Sequence, residues 1–118
     1  MADKICILVR KPPVGSKDSF EAFRVSLGLY VADVAATIVL LGDGVFNAVR
    51  GVDPERVGRP SMQLFIDEVV DCEITPKLVR EDAQERGLSD ADLADFVEPI
   101  SRSDLGKILR AHELIVGF

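Results

Sequence analysis

Two apolar runs constrain this chain more than any other feature: KICILVR at 4–10 and AATIVLLG at 35–42. Each is short and rich in Ile, Val and Leu, as expected of a strand buried on both faces rather than of a surface helix. Such a strand needs helices above and below it. The residues between the two runs supply one. After the loop KPPVGSK (11–17), whose prolines and glycine forbid helix and ladder alike, Asp18 and Ser19 offer alternative helix caps. Phe20, Phe23, Leu27, Tyr30 and Val34 follow at 3-4-3-4 spacing, the stripe of a helix laid on a sheet. Gly28 within it costs about 1 kcal/mol relative to Ala, so a close helix–sheet approach is expected there.

The pattern then repeats more weakly. Gly42-Asp43-Gly44 breaks the second strand sharply, and an apolar stretch runs from Val45 to Val49. A polar loop, GVDPERVGRP, leads to Pro60 in a first helical turn, with Met62, Phe65, Ile66 and Val69 on one side of the helix. Pro76 confines the next strand to Lys77–Arg80. A short helix follows at 81–86, closed by Gly87 as C-terminal cap and Leu88 as its hydrophobic contact. DADLADF supplies a turn, Phe96–Ile100 a strand, and Ser103 caps a last helix carrying Leu105, Ile108, Leu109 and His112 before LIVGF. Strands alternating with helices predict a three-layer α/β/α sandwich, of flavodoxin-like appearance, around a mostly parallel sheet of about five strands. With 118 residues, one domain over 1–118 is expected, burying roughly two-thirds of its unfolded surface.

Composition narrows the function. The net charge is −6, with one Tyr and no Trp, which argues against a direct nucleic-acid partner that binds by charge or base stacking. Residues 67–98 hold eleven acids against Lys77, Arg80 and Arg86, giving one acidic region that either faces solvent or docks a basic partner. The opening MADKICILVRK has too short an apolar run for a signal sequence, and no stretch reaches membrane-span length. A cytoplasmic setting with reduced thiols and no membrane partner is expected.

In an open parallel sheet, ligands sit beyond the carboxyl ends of the strands. Three segments should gather there: RKPPVGSK, GDGVFN and REDAQ. Lys11, Gly15, Ser16 and Lys17 could cradle an anion at a helix start, although the loop is neither a Walker A sequence nor GxGxxG. Asp43 and Gly44 form the facing lip, where a turn acid that bonds nearby amides competes with a catalytic one. Of the two cysteines, Cys6 lies mid-strand as a core thiol, whereas Cys72 stands between Asp71 and Glu73, just past a helix C-terminus. Both neighbours and helix end disfavour a thiolate. His112 falls in register with an apolar stripe, as a packed histidine does. With no second His and no zinc-spaced Cys pair, neither a metal nor another cofactor is expected.

These pieces together resemble the DsrE/DsrF/DsrH family, whose enteric relatives are TusD, TusC and TusB. Residues 4–51 resemble its amino-terminal half. Asp43-Gly44-Val45-Phe46 matches its DGV motif and is closest to the DsrF/TusC type. LVREDAQERGL (78–88) and the ending ISRSDLGKILRAHELIVGF are similar to its later segments. The resemblance implies parallel strands between helices. It further implies homo- or hetero-oligomers, built from itself or from homologous DsrE- or DsrH-like subunits, that relay persulfide sulfur in sulfur oxidation or tRNA 2-thiouridine synthesis. A sulfur-carrier protein is a further implied partner.

The family's sulfur-carrying cysteine, counted back from Gly87, falls at Val79. The expectation is therefore an accessory, non-catalytic subunit, with Val45, Phe46 and Phe118 as interface candidates. A Cys72-dependent persulfide sulfurtransferase and an anion- or nucleotide-binding protein at 11–17 and 43–47 stand as alternatives.

Overall fold

The computed structural model describes residues 5–51 and 63–118. Five strands, β1 (Ile5–Val9), β2 (Ala36–Leu40), β3 (Lys77–Val79), β4 (Glu98–Ile100) and β5 (Leu114–Gly117), form one sheet in the order β4-β3-β2-β1-β5. Every pairing is parallel, so each connection crosses over through a helix or loop. The helices are α1 (Asp18–Val31), α2 (Gln63–Asp71), α3 (Arg80–Glu85) and α4 (Arg102–Ala111). Pro60 and Met62, expected at the start of the second helix, and the polar loop at 52–60 lie outside the described residues.

The two faces of the sheet are covered unequally. On one, Ile7, Val9, Ile38, Leu40 and Leu78 pack with Ala22 and Phe23 of α1 and with Ile66 and Val69 of α2. An edge-to-face contact of Phe20 and Phe65, with centroids 4.9 Å apart, joins the two helices. On the other face Cys6, Val39 and Val79 are covered by Leu105, Ile108 and Leu109 of α4, none of which is fully buried. The three-layer sandwich read from the sequence is therefore present, with one layer a single helix.

Several local expectations shift. The buried face of α1 is Ser19, Ala22, Phe23 and Ser26. Phe20 and Leu27 are partly buried beside it, and Tyr30 is 49% exposed. Small residues set the helix close to the sheet, and Tyr30 falls past the sheet's edge. Neither Asp18 nor Ser19 caps α1. Ser16 Oγ accepts from the Asp18 amide at 3.3 Å, while Ser19 turns inward and donates to the Lys11 carbonyl at 2.7 Å. Ser101, not Ser103, caps α4, accepting from the Asp104 amide at 3.2 Å.

A Cβ on Gly28 would meet open space, so this glycine serves no close approach. One on Gly44 would lie 1.8 Å from the Val9 carbonyl oxygen. The tight contact between helix and sheet thus belongs to the turn after β2.

His112 is packed as expected. It follows α4, with Nδ1 2.6 Å from the Ile108 carbonyl and Nε2 2.8 Å from Thr37 Oγ1, pinning α4 to β2. Among the described residues no helix is long and apolar enough to cross a membrane.

Candidate functional site at the carboxyl edge of the sheet

Because β1, β2 and β3 run parallel, their carboxyl ends open onto one edge. Loop 10–17 leaves β1 there. A 3-10 helix, Gly42–Ala48, spans the Gly42-Asp43-Gly44 break and most of the apolar stretch after it, and α3 starts directly from β3. Gly42 has φ +55°, which lets the chain fold back, and Gly44 fits against the end of β1 only because it has no side chain.

Asn47 staples these segments together. Its Nδ2 donates to the carbonyls of Lys11 and Gly44, both at 2.9 Å, and to Ser19 Oγ at 3.1 Å. The two protons of one amide are thus shared among loop 10–17, α1 and the 3-10 helix. Asn47 Oδ1 is buried and bonds to no described residue.

Asp82, in the first turn of α3, organises the other half of the edge. One carboxylate oxygen accepts from the Gly42 amide at 2.8 Å and the other from Arg102 Nη2 at 2.6 Å. Arg102 also reaches Glu85 at 3.2 Å, and its backbone amide donates to both oxygens of Glu81 at 3.0 Å. Burial pushes the Asp82 carboxyl up, but the Gly42 amide and the Arg102 guanidinium outweigh it and hold its pKa below the usual range. Glu81 is lowered through the Arg102 amide, and Arg102 is raised by Asp82 and then Glu85. The carboxylates here are consumed in fastening β2, α3 and α4 to one another.

The expected site residues divide accordingly. Lys11, Gly15, Ser16 and Lys17 line the loop at this edge, with Gly15 at φ +100°. Arg10, Lys11 and Lys17 form no ion pair with a described residue. Asp43 does not bond nearby amides as a turn acid would. It is exposed and accepts from Arg86 Nε at 3.0 Å, while Asp82 takes the Gly42 amide instead.

Val45 is completely buried in the chain's own core, so as an interface candidate it is withdrawn. Phe46 and Phe118 are only partly buried. Phe118 extends the β1–β5 ladder, donating to the Leu8 carbonyl at 2.8 Å and accepting from the Arg10 amide at 3.0 Å.

Cys72 does not reach this edge. It follows α2 directly, before the start of β3, and therefore lies at the amino edge. Val79 stands at the carboxyl end of β3, fully buried, as the residue preceding α3. Cys6 is fully buried mid-strand, and burial raises its thiol pKa.

Sequence reading missed Asn47, Ser19, Asp82, Arg86 and Arg102. Only Asp82 had a local signal, as an acid in the first turn of a helix beginning at a strand end.

The chain matches the profile of the DsrE/DsrF-like family over residues 3–116. It is 31% identical over 94 residues to the intracellular sulfur oxidation protein DsrF of Allochromatium vinosum, covering 79% of this chain and 69% of that protein. An uncharacterized protein of Methanopyrus kandleri is 25% identical over 116 residues, covering 98% of this chain and 94% of that one. Among solved structures, the ychN protein of E. coli has a TM-score of 0.84 at 24% identity, covering 98% of this chain and 99% of that one, a likeness of fold. A match along nearly the whole sequence, joined by a relative above 30% identity, places this chain in the DsrE/DsrF-like family.

Proposed function

We propose that this protein is an accessory subunit of a sulfur-relay assembly that pairs with related subunits and does not itself carry sulfur. The observation behind this reading is the absence of a thiol at the carboxyl edge. The chain has two cysteines, one mid-strand and fully buried, the other at the opposite edge. The position that the family resemblance gives to the sulfur carrier is the buried Val79. Pairing with related subunits is supported by the thinly covered sheet face. Ile115 shares that face with Cys6 by register and is 44% exposed, and α4 shields the rest alone.

Intact mass after incubation with a persulfide donor tests the reading. Under conditions that load a DsrE-type carrier, the wild type gains no sulfur. A gain of about 32 Da that Cys72→Ser abolishes would establish the runner-up, a Cys72-dependent sulfurtransferase. Light scattering tests the pairing, and a strict monomer with and without DsrE- and DsrH-like partners would remove it.

One observation favours a second reading, a small-anion or nucleotide site at 11–17 and 43–47. Arg10, Lys11 and Lys17 form no ion pair with a described residue around the start of α1, whose Lys17 N-cap offers no side-chain bond to the helix amides. Phosphate and ATP would then raise the melting temperature of the wild type but not of the double variant Lys11→Ala, Lys17→Ala. Equal shifts in both proteins would discard this reading.

A further inference from the structure

The opposite, amino edge of the sheet carries an apolar crevice of about 240 Å³, lined by Ser26, Tyr30, Val34, Ala35, Ala36 and Ile74. By volume it holds about eight waters, the room one large side chain needs. It adjoins a shallower depression of about 470 Å³ that shares Tyr30, Val34 and Ala35 and adds Val31 and Asp33. Val31 is 84% exposed and Tyr30 49%, so apolar surface continues past the crevice mouth. Ser26 Oγ is committed to the Ala22 carbonyl at 2.7 Å and leaves the lining largely apolar.

The described charged residues next to this lining in the chain, Asp33 before Val34 and Glu73 before Ile74, are both acids. α1 and α2 both end here, neither with a basic residue in its last turn, so two helix C-termini bring partial negative charge. Asp33 follows α1, and Asp71 and Glu73 stand at the end of α2. None of the three forms an ion pair with a described residue. An apolar floor inside a negative rim recognises a cation carried on an apolar stem, which is the side chain of Arg or Lys. The apolar surface beyond the mouth, over Tyr30 and Val31, calls for apolar neighbours on the same ligand. We propose that this crevice docks a basic side chain flanked by apolar residues in a segment of a partner protein. The assignment holds whether or not the chain carries sulfur.

The test is titration of the uniformly ¹⁵N-labelled full chain with the capped peptides Leu-Arg-Leu, Leu-Gln-Leu and Leu-Glu-Leu and with arginine amide, followed by amide shifts. The Arg peptide is expected to move Tyr30, Val31, Val34 and Ile74, to bind more tightly than the Gln peptide, and to weaken as salt rises. The Glu peptide is expected to move none of them. The double variant Asp33→Asn, Glu73→Asn keeps residues that tolerate a left-handed backbone and should weaken the Arg peptide about five-fold. Three results would overturn the proposal. They are equal binding of all three peptides, undiminished binding to the well-dispersed double variant, and no shifts with 10 mM Arg peptide. Arginine amide binding as tightly as the peptide would overturn the commitment to a polypeptide partner.

Discussion

The two edges of one sheet handle the same kinds of groups in opposite ways. At the carboxyl edge, acids are bound: Asp43 to Arg86, Asp82 to the Gly42 amide and Arg102, Glu81 to the Arg102 amide. Arg10, Lys11 and Lys17 of loop 10–17 form no ion pair there with a described residue. At the amino edge Lys77 pairs with Glu98 at 2.8 Å, but Asp33, Asp71 and Glu73 have no described cation partner, and two helices add their negative ends.

Helix termination makes the contrast sharper. α1, α2 and α3 all close with the same pair of turn hydrogen bonds. The Val34 and Asp33 amides reach Leu29 and Tyr30, those of Ile74 and Glu73 reach Val69 and Val70, and those of Leu88 and Gly87 reach Ala83 and Gln84. The left-handed residue of the motif is Gly87 after α3, at φ +75°, but Asp33 and Glu73 after α1 and α2, each at φ +61°. One motif is thus built with the conformationally free residue in one place and with acids in two others. The carboxyl edge is locally consistent and fastened. Around the crevice, the amino edge keeps acids with no cation partner among the described residues, and backbone strain at Asp33 and Glu73, where a ligand could relieve the charge.

The strongest attempt to break this comparison is at Gly44. A methyl group 1.8 Å from the Val9 carbonyl cannot be relieved by a flexible side chain, so Gly44→Ala should cost about 3 kcal/mol or more. The control is Gly28→Ala, which meets open space and should be neutral or stabilising, by up to about 1 kcal/mol. Urea unfolding of both variants would measure the difference, and similar midpoints would refute the placement of the close contact.

Asp82→Ala comes next, at about 2 kcal/mol, because it removes a carboxylate that bonds an amide and a guanidinium. The pKa of Asp82 is lower in the folded chain than in the unfolded one. Its stabilisation is therefore complete above an unfolded value of about 4, and it fades as pH falls through the lower folded value. Asp82→Asn should flatten that acid limb of the pH–stability curve. A wild-type-like limb in this variant would show that other carboxylates dominate it.

The smallest effect sharpens the picture of the amino edge. Asp33→Gly and Glu73→Gly should each raise stability by about 0.5–1 kcal/mol, read as a higher thermal midpoint, because glycine adopts the left-handed backbone without strain. If either variant lowered the midpoint, the side chain removed would be contributing a contact that outweighs the strain.

Legibility followed the range of the interactions. Both long apolar runs became strands within one or two residues of their expected bounds, and Gly87 with Leu88 closed α3 as expected, since a run of side chains or a single turn carries the whole signal. Caps proved harder. Ser16 was passed over in favour of Asp18 and Ser19, and Ser101 in favour of Ser103, because neighbouring hydroxyls and carboxylates compete within one turn and the entry angle of the chain selects among them. At the candidate site, loop 10–17 and Gly42-Asp43-Gly44 were readable as strand-end punctuation. The bonds that fasten them were not: Gly42 and Asp82 are 40 residues apart, and Asn47 and Lys11 are 36 apart.

The sequence by itself determined the alternation of strands and helices, the parallel sheet that this alternation requires, and the lack of a thiol at position 79. These depend on residue identity, hydrophobic period and chain connectivity. Only the tertiary structure decided that Ser19 and Asn47 turn inward as a staple, that Gly44 and not Gly28 admits the close approach, that Val45 is spent in the core, and that Asp33 and Glu73 flank an apolar crevice. Each of these depends on which segments the order β4-β3-β2-β1-β5 brings side by side, and packing between distant segments leaves no periodic trace in the chain.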